Sequence, residues 1–234
     1  MTRAVFVPGL LCTGELYSPQ IEVLAGLDAM VGDHQSHESI SDIAAGILTS
    51  APDRFVLVGL SMGGYISFEI LRQAAERVQA LILLDTGARP DAPEKSDDRM
   101  RLIGLAEQQG ITAVVDELTP HFLARRHLGR DDLKLIIARM GRETGPQAFA
   151  RQQKAIMGRA DSRPTLSQIS CPTLIVVGDE DTLTPPELAK EIADGIGGSR
   201  LEIIPECGHL ATLEQPGAVT AAIKSFLEGA GIRS

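Results

Sequence analysis

The sequence contains no tryptophan, and its other aromatic residues are only two tyrosines and six phenylalanines. This scarcity argues against an aromatic binding cage and favours a pocket lined by Leu, Ile and Met. Positive charge is also in short supply, because 22 Lys and Arg stand against 31 Asp and Glu, for a formal charge of −9. Such a chain gains no general attraction to nucleic acid phosphates or to anionic membranes. We therefore expect no nucleic acid and no membrane among its partners.

Cysteines and long apolar runs are scarce as well. The three cysteines, Cys12, Cys171 and Cys207, form no C-x-x-C pair and no cluster with histidine at metal-ligand spacing. An odd set of this kind is typical of reduced thiols in a cytosolic compartment. The apolar run at residues 4–7 is too short for a signal-peptide core, and no stretch approaches the roughly 18 apolar residues of a membrane span. We expect a cytoplasmic protein with no metal and no organic cofactor, and we predict no particular oligomeric state.

The chain does contain a regular alternation of strand signals and helical patterns. Short apolar runs lie at residues 5–7, 29–31, 55–58, 81–84, 173–177 and 201–204. Continuous apolarity indicates strands that are buried on both faces, and helices between such strands predict a parallel sheet. The predicted fold class is α/β, with a mostly parallel sheet of about six strands and helices on both faces.

One long segment interrupts this alternation. Residues 86–165 contain no strand-like run, and their spacing of apolar residues and glycines predicts only helices. The predicted helices lie near residues 98–109, 112–123, 131–142 and 146–157. We therefore predict a core formed by residues 1–85 and 166–234, with a helical cap or lid formed by residues 86–165.

A glycine-rich turn after the third strand signal carries the first candidate catalytic residue. Residues 59–63 read Gly-Leu-Ser-Met-Gly, which matches G-x-S-x-G between a buried strand and a helix. In that context the serine stands on a strained turn, and the flanking glycines let the backbone pass without a clash. Ser61 is therefore the predicted nucleophile, and the alternative is an incidental serine in a glycine-rich turn.

A serine hydroxyl is a weak nucleophile, so it needs a histidine base that a carboxylate orients. On this kind of scaffold the chain order is serine, then the acid, then histidine. His209 follows the last strand signal and is the predicted base. We interpret the other histidines as surface groups; they are His34, His37, His121 and His127.

The acid is harder to choose from the residues alone. Asp181 lies in the loop after the strand at 173–177, but Asp179 and Glu180 share that loop. Asp85 ends the preceding strand signal and would lie at the same edge of the sheet. We favour Asp181 and keep the other three acids as alternatives.

The negative charge that develops on an attacked carbonyl needs N–H donors, which form an oxyanion hole. The backbone of Met62, directly after the serine, is one predicted donor. The turn after the first strand supplies the other through Leu10, because Gly9 lets that backbone approach closely. The alternative for this segment is an ordinary Pro-Gly turn.

Together these motifs resemble the α/β-hydrolase superfamily. The segments at 59–64 (Gly-Leu-Ser-Met-Gly-Gly), 178–185 (Gly-Asp-Glu-Asp-Thr-Leu-Thr-Pro) and 208–210 (Gly-His-Leu) follow its order. The chain looks like the small serine esterases and lactonases related to 3-oxoadipate enol-lactonase. This resemblance implies an α/β-hydrolase fold, a helical cap at 86–165, and Asp181 as the acid by its place in G-x-x-D-x-x-x-P. One departure is the first loop, which has Pro-Gly where the family often has His-Gly.

The predicted function is a serine hydrolase that cleaves a small carboxylic ester or lactone through an acyl-enzyme at Ser61. A C–C bond hydrolase, a thioesterase or an acyltransferase could use the same residues. A non-catalytic small-ligand receptor on the hydrolase fold is an alternative from another class. Residues 86–165 are more basic than the rest of the chain, which suggests that an anionic substrate could be favoured there; the basic residues considered are Arg125, Arg126 and Arg139.

Overall fold

A computed structural model describes residues 1–24 and 26–232. The strands are β1 (Thr2–Val7), β2 (Leu27–Val31), β3 (Phe55–Leu60), β4 (Val78–Leu84), β5 (Thr173–Gly178) and β6 (Arg200–Ile204). They form one sheet in the order β2-β1-β3-β4-β5-β6, and every neighbouring pair is parallel. Each strand contains one of the predicted apolar runs. The α/β class and the sheet of about six strands are therefore confirmed.

The α-helices are α1 (Ser18–Val23), α2 (Ile40–Ser50), α3 (Met62–Ala74), α4 (Ser96–Gln109), α5 (Ile111–Phe122), α6 (Asp131–Met157), α7 (Pro186–Gly195), α8 (Ala211–Glu214) and α9 (Pro216–Gly229). Short 3-10 turns lie at Gly14–Tyr17, Ala75–Arg77, Pro93–Lys95, Arg125–His127 and Arg163–Gln168. Among the described residues, no helix is both long enough and apolar enough to cross a membrane.

Alternate side chains of the strands enter two separate hydrophobic clusters, as the two-residue period of a strand requires. In β3, Val56 and Val58 pack into the cluster that contains the apolar face of α9. Phe55 and Leu57 pack into the other cluster, with residues of α2, α3 and α7. Helices therefore cover both faces of the sheet, which explains the continuous apolar runs. Truncation of a fully buried residue such as Leu57 to alanine should cost about 2–5 kcal/mol.

Between β4 and β5, where every residue is described, the chain forms helices and turns but no strand. Helices α4, α5 and α6 pack against one another there. The two helices predicted near 131–142 and 146–157 lie within α6, but Gly145 has φ 71° and ψ 169° and interrupts the helical path between them. Pro146 suits the start of the second half, because a first-turn residue needs no N–H. We refer to residues 86–165 below as the inserted helices; their role as a separate cap stays a prediction.

In a parallel sheet all strands end at the same edge, so the loops that follow them lie together. These loops carry the residues predicted to be functional. The loop after β1 contains Leu10, the turn after β3 contains Ser61, and the loops after β5 and β6 contain Asp181 and His209.

Candidate active site

Ser61 stands at the turn between β3 and α3 with φ 55° and ψ −114°. A non-glycine residue in such a conformation carries strain of order 1–3 kcal/mol, which its surroundings must hold. Ser61 N donates a hydrogen bond to Leu84 O (3.0 Å), and Thr86 Oγ1 donates to Ser61 O (2.8 Å). A Cβ on Gly63 would lie 1.9 Å from Val7 O, so this position requires glycine. The turn is thus fixed by the two neighbouring strands.

The structure brings Ser61, His209 and Asp181 into one hydrogen-bonded line. His209 Nε2 lies 2.9 Å from Ser61 Oγ, and His209 Nδ1 lies 2.8 Å from Asp181 Oδ2. An ionised carboxylate only accepts hydrogen bonds, so the proton of a neutral His209 lies on Nδ1. Nε2 is then free to accept the proton of the Ser61 hydroxyl. This arrangement can activate a serine for attack on a carbonyl carbon.

Asp181 is held by the loop in which it lies. Its Oδ1 accepts hydrogen bonds from Leu183 N (2.8 Å) and Thr184 N (3.0 Å), and Thr184 Oγ1 donates to Oδ2 (2.7 Å). Burial alone would raise the pKa of this carboxyl. Attraction to the protonated form of His209 and the hydrogen bonds from His209 and Thr184 outweigh that effect, so the pKa of Asp181 is lowered. The carboxylate therefore stays ionised beside the imidazole.

The other candidate acids bond elsewhere. Asp85 is fully buried and accepts hydrogen bonds from Gly178 N (3.0 Å) and Ala211 N (3.2 Å). Burial and the nearby charge of Asp181 raise the pKa of Asp85 well above its usual range. Its contacts connect the ends of β4 and β5 to helix α8. Similarly, Asp179 accepts from a backbone N–H (3.1 Å), and Glu180 binds a guanidinium of the inserted helices.

The end of α5 packs directly on the histidine loop. His209 N (3.1 Å) and Leu210 N (3.2 Å) both donate to the carbonyl oxygen of Phe122, which ends that helix. The Phe122 ring also stacks on the imidazole, with centroids 6.3 Å apart and an interplanar angle of 20°. The inserted helices therefore contribute to the placement of His209, a contact that the sequence analysis did not predict.

A buried carboxylate strengthens the same junction. Glu214 accepts hydrogen bonds from Gly208 N (2.9 Å) and Ala124 N (2.8 Å), and it lies 2.7 Å from His127 Nδ1. The interpretation of His127 as a surface group is wrong, because its side chain is largely buried against Glu214. Sequence reasoning also missed Glu214, whose only signal was a carboxylate close after His209 in the chain.

The loop after β1 lies against the nucleophile. A Cβ on Gly9 would lie 3.3 Å from Ser61 Cβ, so only a residue without a side chain fits this position comfortably. Leu10 borders the same cavity as Ser61. Met62 is the first residue of α3, and first-turn N–H groups have no acceptor within their own helix.

One prediction about this region is wrong. His34 is not a surface group, because it is only 2% exposed and its Nε2 lies 3.1 Å from the carbonyl oxygen of Gly9. The residue follows β2, whose apolar run was the weakest of the strand signals. The spacing of apolar residues in the sequence indicates where a strand lies. It does not show whether a loop residue such as His34 is buried, because that depends on the residues that pack over the loop. The other two histidines, His37 and His121, are exposed as expected.

A cavity of about 650 Å³ opens over Ser61 and His209, which is the size of a small-molecule site. Leucine provides much of its apolar lining, at residues Leu10, Leu60, Leu102, Leu118, Leu183, Leu188 and Leu210. The remaining apolar and aromatic lining comes from Cys12, Tyr65, Pro90, Ala92, Phe122 and Ile156. The expectation of an aliphatic pocket is met for Leu and Ile, but none of the described lining residues is methionine.

The basic residues at the cavity are not those that the sequence suggested. Arg125, Arg126 and Arg139 do not border the cavity. Arg126 binds Glu180 and a second surface carboxylate, and Arg139 binds a carboxylate of a distant turn. The cavity is bordered instead by Lys95 and four arginines. Arg99 and Arg159 both bind the carboxylate of Asp91, while Arg89 binds Glu191 and Arg101 binds Asp98 and Glu117. Each guanidinium therefore already has an anionic partner.

A parallel sheet with a serine on a strand-to-helix turn, followed in the chain by an acid and a histidine, is the architecture of an α/β hydrolase. The model of the alpha/beta hydrolase family matches residues 4–223, and the chain belongs to that family. The resemblance predicted from the motifs is therefore confirmed.

The named relatives include esterases, an enol-lactonase and a putative non-heme bromoperoxidase. A pimeloyl-[acyl-carrier protein] methyl ester esterase from Neisseria meningitidis serogroup B (strain H44/76) is 30% identical over 202 residues, covering 82% of this chain and 77% of the relative. The solved structure of a thermophilic esterase from Thermogutta terrifontis, with malate bound, is 30% identical at a TM-score of 0.89, covering 98% of this chain and 90% of that one. An enol-lactonase from Burkholderia xenovorans LB400 supports the fold alone, with 23% identity, a TM-score of 0.86, and coverage of 97% and 91%. The chain is therefore an enzyme of the α/β-hydrolase family.

Proposed function

We propose that this enzyme is a serine hydrolase that cleaves a small carboxylic ester or lactone through an acyl-enzyme at Ser61. The observation that supports the proposal is the hydrogen-bonded line from Ser61 through His209 to Asp181. The Ser61 end of this line borders a cavity of about 650 Å³. The serine is at the cavity wall, while the carboxylate is buried behind the imidazole. A substrate carbonyl can therefore reach the hydroxyl without meeting the acid.

The first half of the reaction forms the acyl-enzyme. His209 Nε2 takes the proton of Ser61 as Oγ attacks the carbonyl carbon, and Asp181 stabilises the imidazolium that results. The backbone N–H groups of Leu10 and Met62 donate to the carbonyl oxygen as it becomes an oxyanion. The imidazolium then gives its proton to the leaving alcohol, and the tetrahedral intermediate collapses to an ester of Ser61.

The second half removes the acyl group. His209 deprotonates a water molecule that attacks the Ser61 ester, and the same two N–H groups bind the second oxyanion. Collapse releases the carboxylic acid and returns the proton to Ser61. The inserted helices would act as a cap, because residues of α4, α5 and α6 form one wall of the cavity. This wall, rather than the hydrolytic residues, would select the substrate.

A Ser61→Ala variant tests the proposal. Loss of the nucleophile should lower the turnover of p-nitrophenyl acetate by several orders of magnitude, since the triad acts as a unit. A fluorophosphonate probe should label Ser61 in the unaltered protein and leave the variant unlabelled. Ser36→Ala, at an exposed serine, is the matched control and should behave like the unaltered protein. Retention of esterase activity in Ser61→Ala would rule out the proposed nucleophile.

The same measurements separate the alternatives. A panel of short esters, lactones, thioesters and C–C cleavage substrates distinguishes an esterase from other hydrolases and acyltransferases that use the same residues. A non-catalytic receptor would fail to react with the fluorophosphonate at Ser61. The names of the esterase relatives favour ester substrates.

A further inference from the structure

The peptide group between Gly9 and Leu10 is held at its carbonyl end. The oxygen of Gly9 accepts a hydrogen bond from Cys12 N (3.1 Å), which closes a turn, and it lies 3.1 Å from His34 Nε2. In a trans peptide the C=O and N–H groups share one plane and point in opposite directions. Groups that bind the oxygen of Gly9 therefore fix the direction of the Leu10 N–H.

His34 is suited to act as a permanent donor to this oxygen. Burial lowers the pKa of His34 to about 4, so the imidazole is neutral at neutral pH. A neutral imidazole has one N–H group, and a carbonyl oxygen can only accept. The proton therefore lies on Nε2 and is directed at Gly9. Because the side chain is only 2% exposed, water does not readily replace this contact.

The following peptide group is held from the opposite side. Leu11 has φ 59°, a conformation that costs energy for a residue with a side chain. Its N–H donates to Oε1 of Gln152 (3.2 Å), a fully buried residue of α6. The loop is thus held both by the segment after β2 and by the inserted helices. A backbone with this much strain keeps one geometry only because several contacts determine it.

We propose that His34 is a positioning residue for the hydrolytic reaction, in which its hydrogen bond to Gly9 aims the Leu10 N–H at the oxyanion. The inference rests on the proposed function, because it requires Leu10 to be an oxyanion donor. His34 does not touch the substrate, since it acts through the peptide group of Gly9 and Leu10.

Substitutions at residue 34 test this role. His34→Leu fills similar space without a donor, and it should lower kcat about 10- to 100-fold with little change in KM, which is somewhat less than the loss of a whole oxyanion donor. His34→Gln keeps an N–H donor on its side chain and should retain most of the kcat. His37→Leu and His37→Gln are matched controls at an exposed histidine of the same loop and should leave both constants unchanged.

Chemical rescue gives a second measurement that does not depend on the leucine variant. In His34→Ala, added imidazole can enter the vacated space and restore the hydrogen bond, so kcat should rise with imidazole concentration. The same addition should not affect His37→Ala. A purely structural role would change the thermal midpoint of the variants without a selective loss of kcat and without rescue.

Specific results would overturn the inference. These are an unchanged kcat in His34→Leu, equal losses in the leucine and glutamine variants, or no rescue of a folded His34→Ala protein. The Ser61→Ala variant separates this inference from the proposed function. If that variant keeps its activity, the proposed function fails; if it is inactive while His34→Leu is fully active, only the role of His34 fails.

Discussion

Replacement of Asp181 with asparagine exchanges one carboxylate oxygen for an NH₂ group, yet the structure predicts a large loss of activity. The amide oxygen of the asparagine would take the place of Oδ1, because Leu183 N and Thr184 N both donate to that position. The amide NH₂ would then point at His209 Nδ1, which lies 2.8 Å from the present Oδ2. An NH₂ group can only donate, so the imidazole would have to accept at Nδ1 and carry its proton on Nε2.

The magnitude follows from this reversed tautomer. With a proton on Nε2, His209 cannot accept the proton of Ser61, and no carboxylate remains to stabilise the imidazolium. When a serine triad loses the correct tautomer in this way, turnover falls by about 10⁴-fold. At 1.36 kcal/mol for each factor of ten, that loss corresponds to about 5.4 kcal/mol of barrier.

The assay is hydrolysis of p-nitrophenyl acetate at neutral pH, with Asp85→Asn as the matched control. Asp85 is the other buried aspartate at this edge of the sheet, but it binds backbone N–H groups rather than the imidazole. The Asp85→Asn protein should lose stability while its folded fraction keeps a kcat within a few-fold of the original. A kcat of Asp181→Asn within tenfold of the unaltered protein would refute this reasoning, as would an equal loss in Asp85→Asn.

Three further predictions concern stability. Gly63→Ala should prevent correct folding, because the added Cβ would lie 1.9 Å from the carbonyl oxygen of Val7. In the control Gly217→Ala, the added Cβ would meet no atom within 4 Å, so this protein should keep its thermal midpoint. Glu214→Gln should lower that midpoint by several degrees in a thermal melt, because it breaks a buried pair with His127; an unchanged midpoint would contradict this. The lowered pKa of Asp181 means that its charge stabilises the folded state above pH 3.8 and stops doing so as the pH falls through the folded value. In urea unfolding between pH 2 and 6, Asp181→Asn should therefore show a weaker acid-side loss of stability than the unaltered protein.

The inner strands β1, β3, β4 and β5 were predictable because most of their residues are buried, so a local run of apolar residues indicates each strand directly. The edge strands β2 and β6 are partly exposed, and their apolar runs are shorter or interrupted. Ser61 and His209 were predictable because short motifs fix where they lie relative to the strands. The choice of Asp181 needed the family pattern, since three acids share its loop and their composition does not distinguish them. The structure distinguishes them by which oxygen lies next to His209.

The residues that support the site were not predictable in the same way. His34 and Gln152 are far apart in the chain, and each acts on the loop after β1 only because tertiary packing brings it there. Their burial depends on residues of other helices and strands, and the local spacing of apolar residues in the sequence does not reveal those contacts. The interruption of α6 at Gly145 was visible as a glycine between two helical patterns. The path of the chain across it depends on packing among the inserted helices.

The junction between Phe122 and the histidine loop has a consequence for how freely the inserted helices can be exchanged between family members. Two backbone N–H groups of the histidine loop donate to the carbonyl oxygen of Phe122, which belongs to the inserted helices. Glu214 binds Ala124 and His127, which follow Phe122 in the chain. The insertion is therefore not a modular part that can be replaced at residues 86 and 165 alone. A chimaera with foreign inserted helices would keep these contacts only if its chain places a carbonyl oxygen, an N–H group and an imidazole where Phe122, Ala124 and His127 place theirs. Retention of residues 122–127 of this chain would meet that requirement, so the boundary that matters for grafting lies within residues 86–165 rather than at their ends.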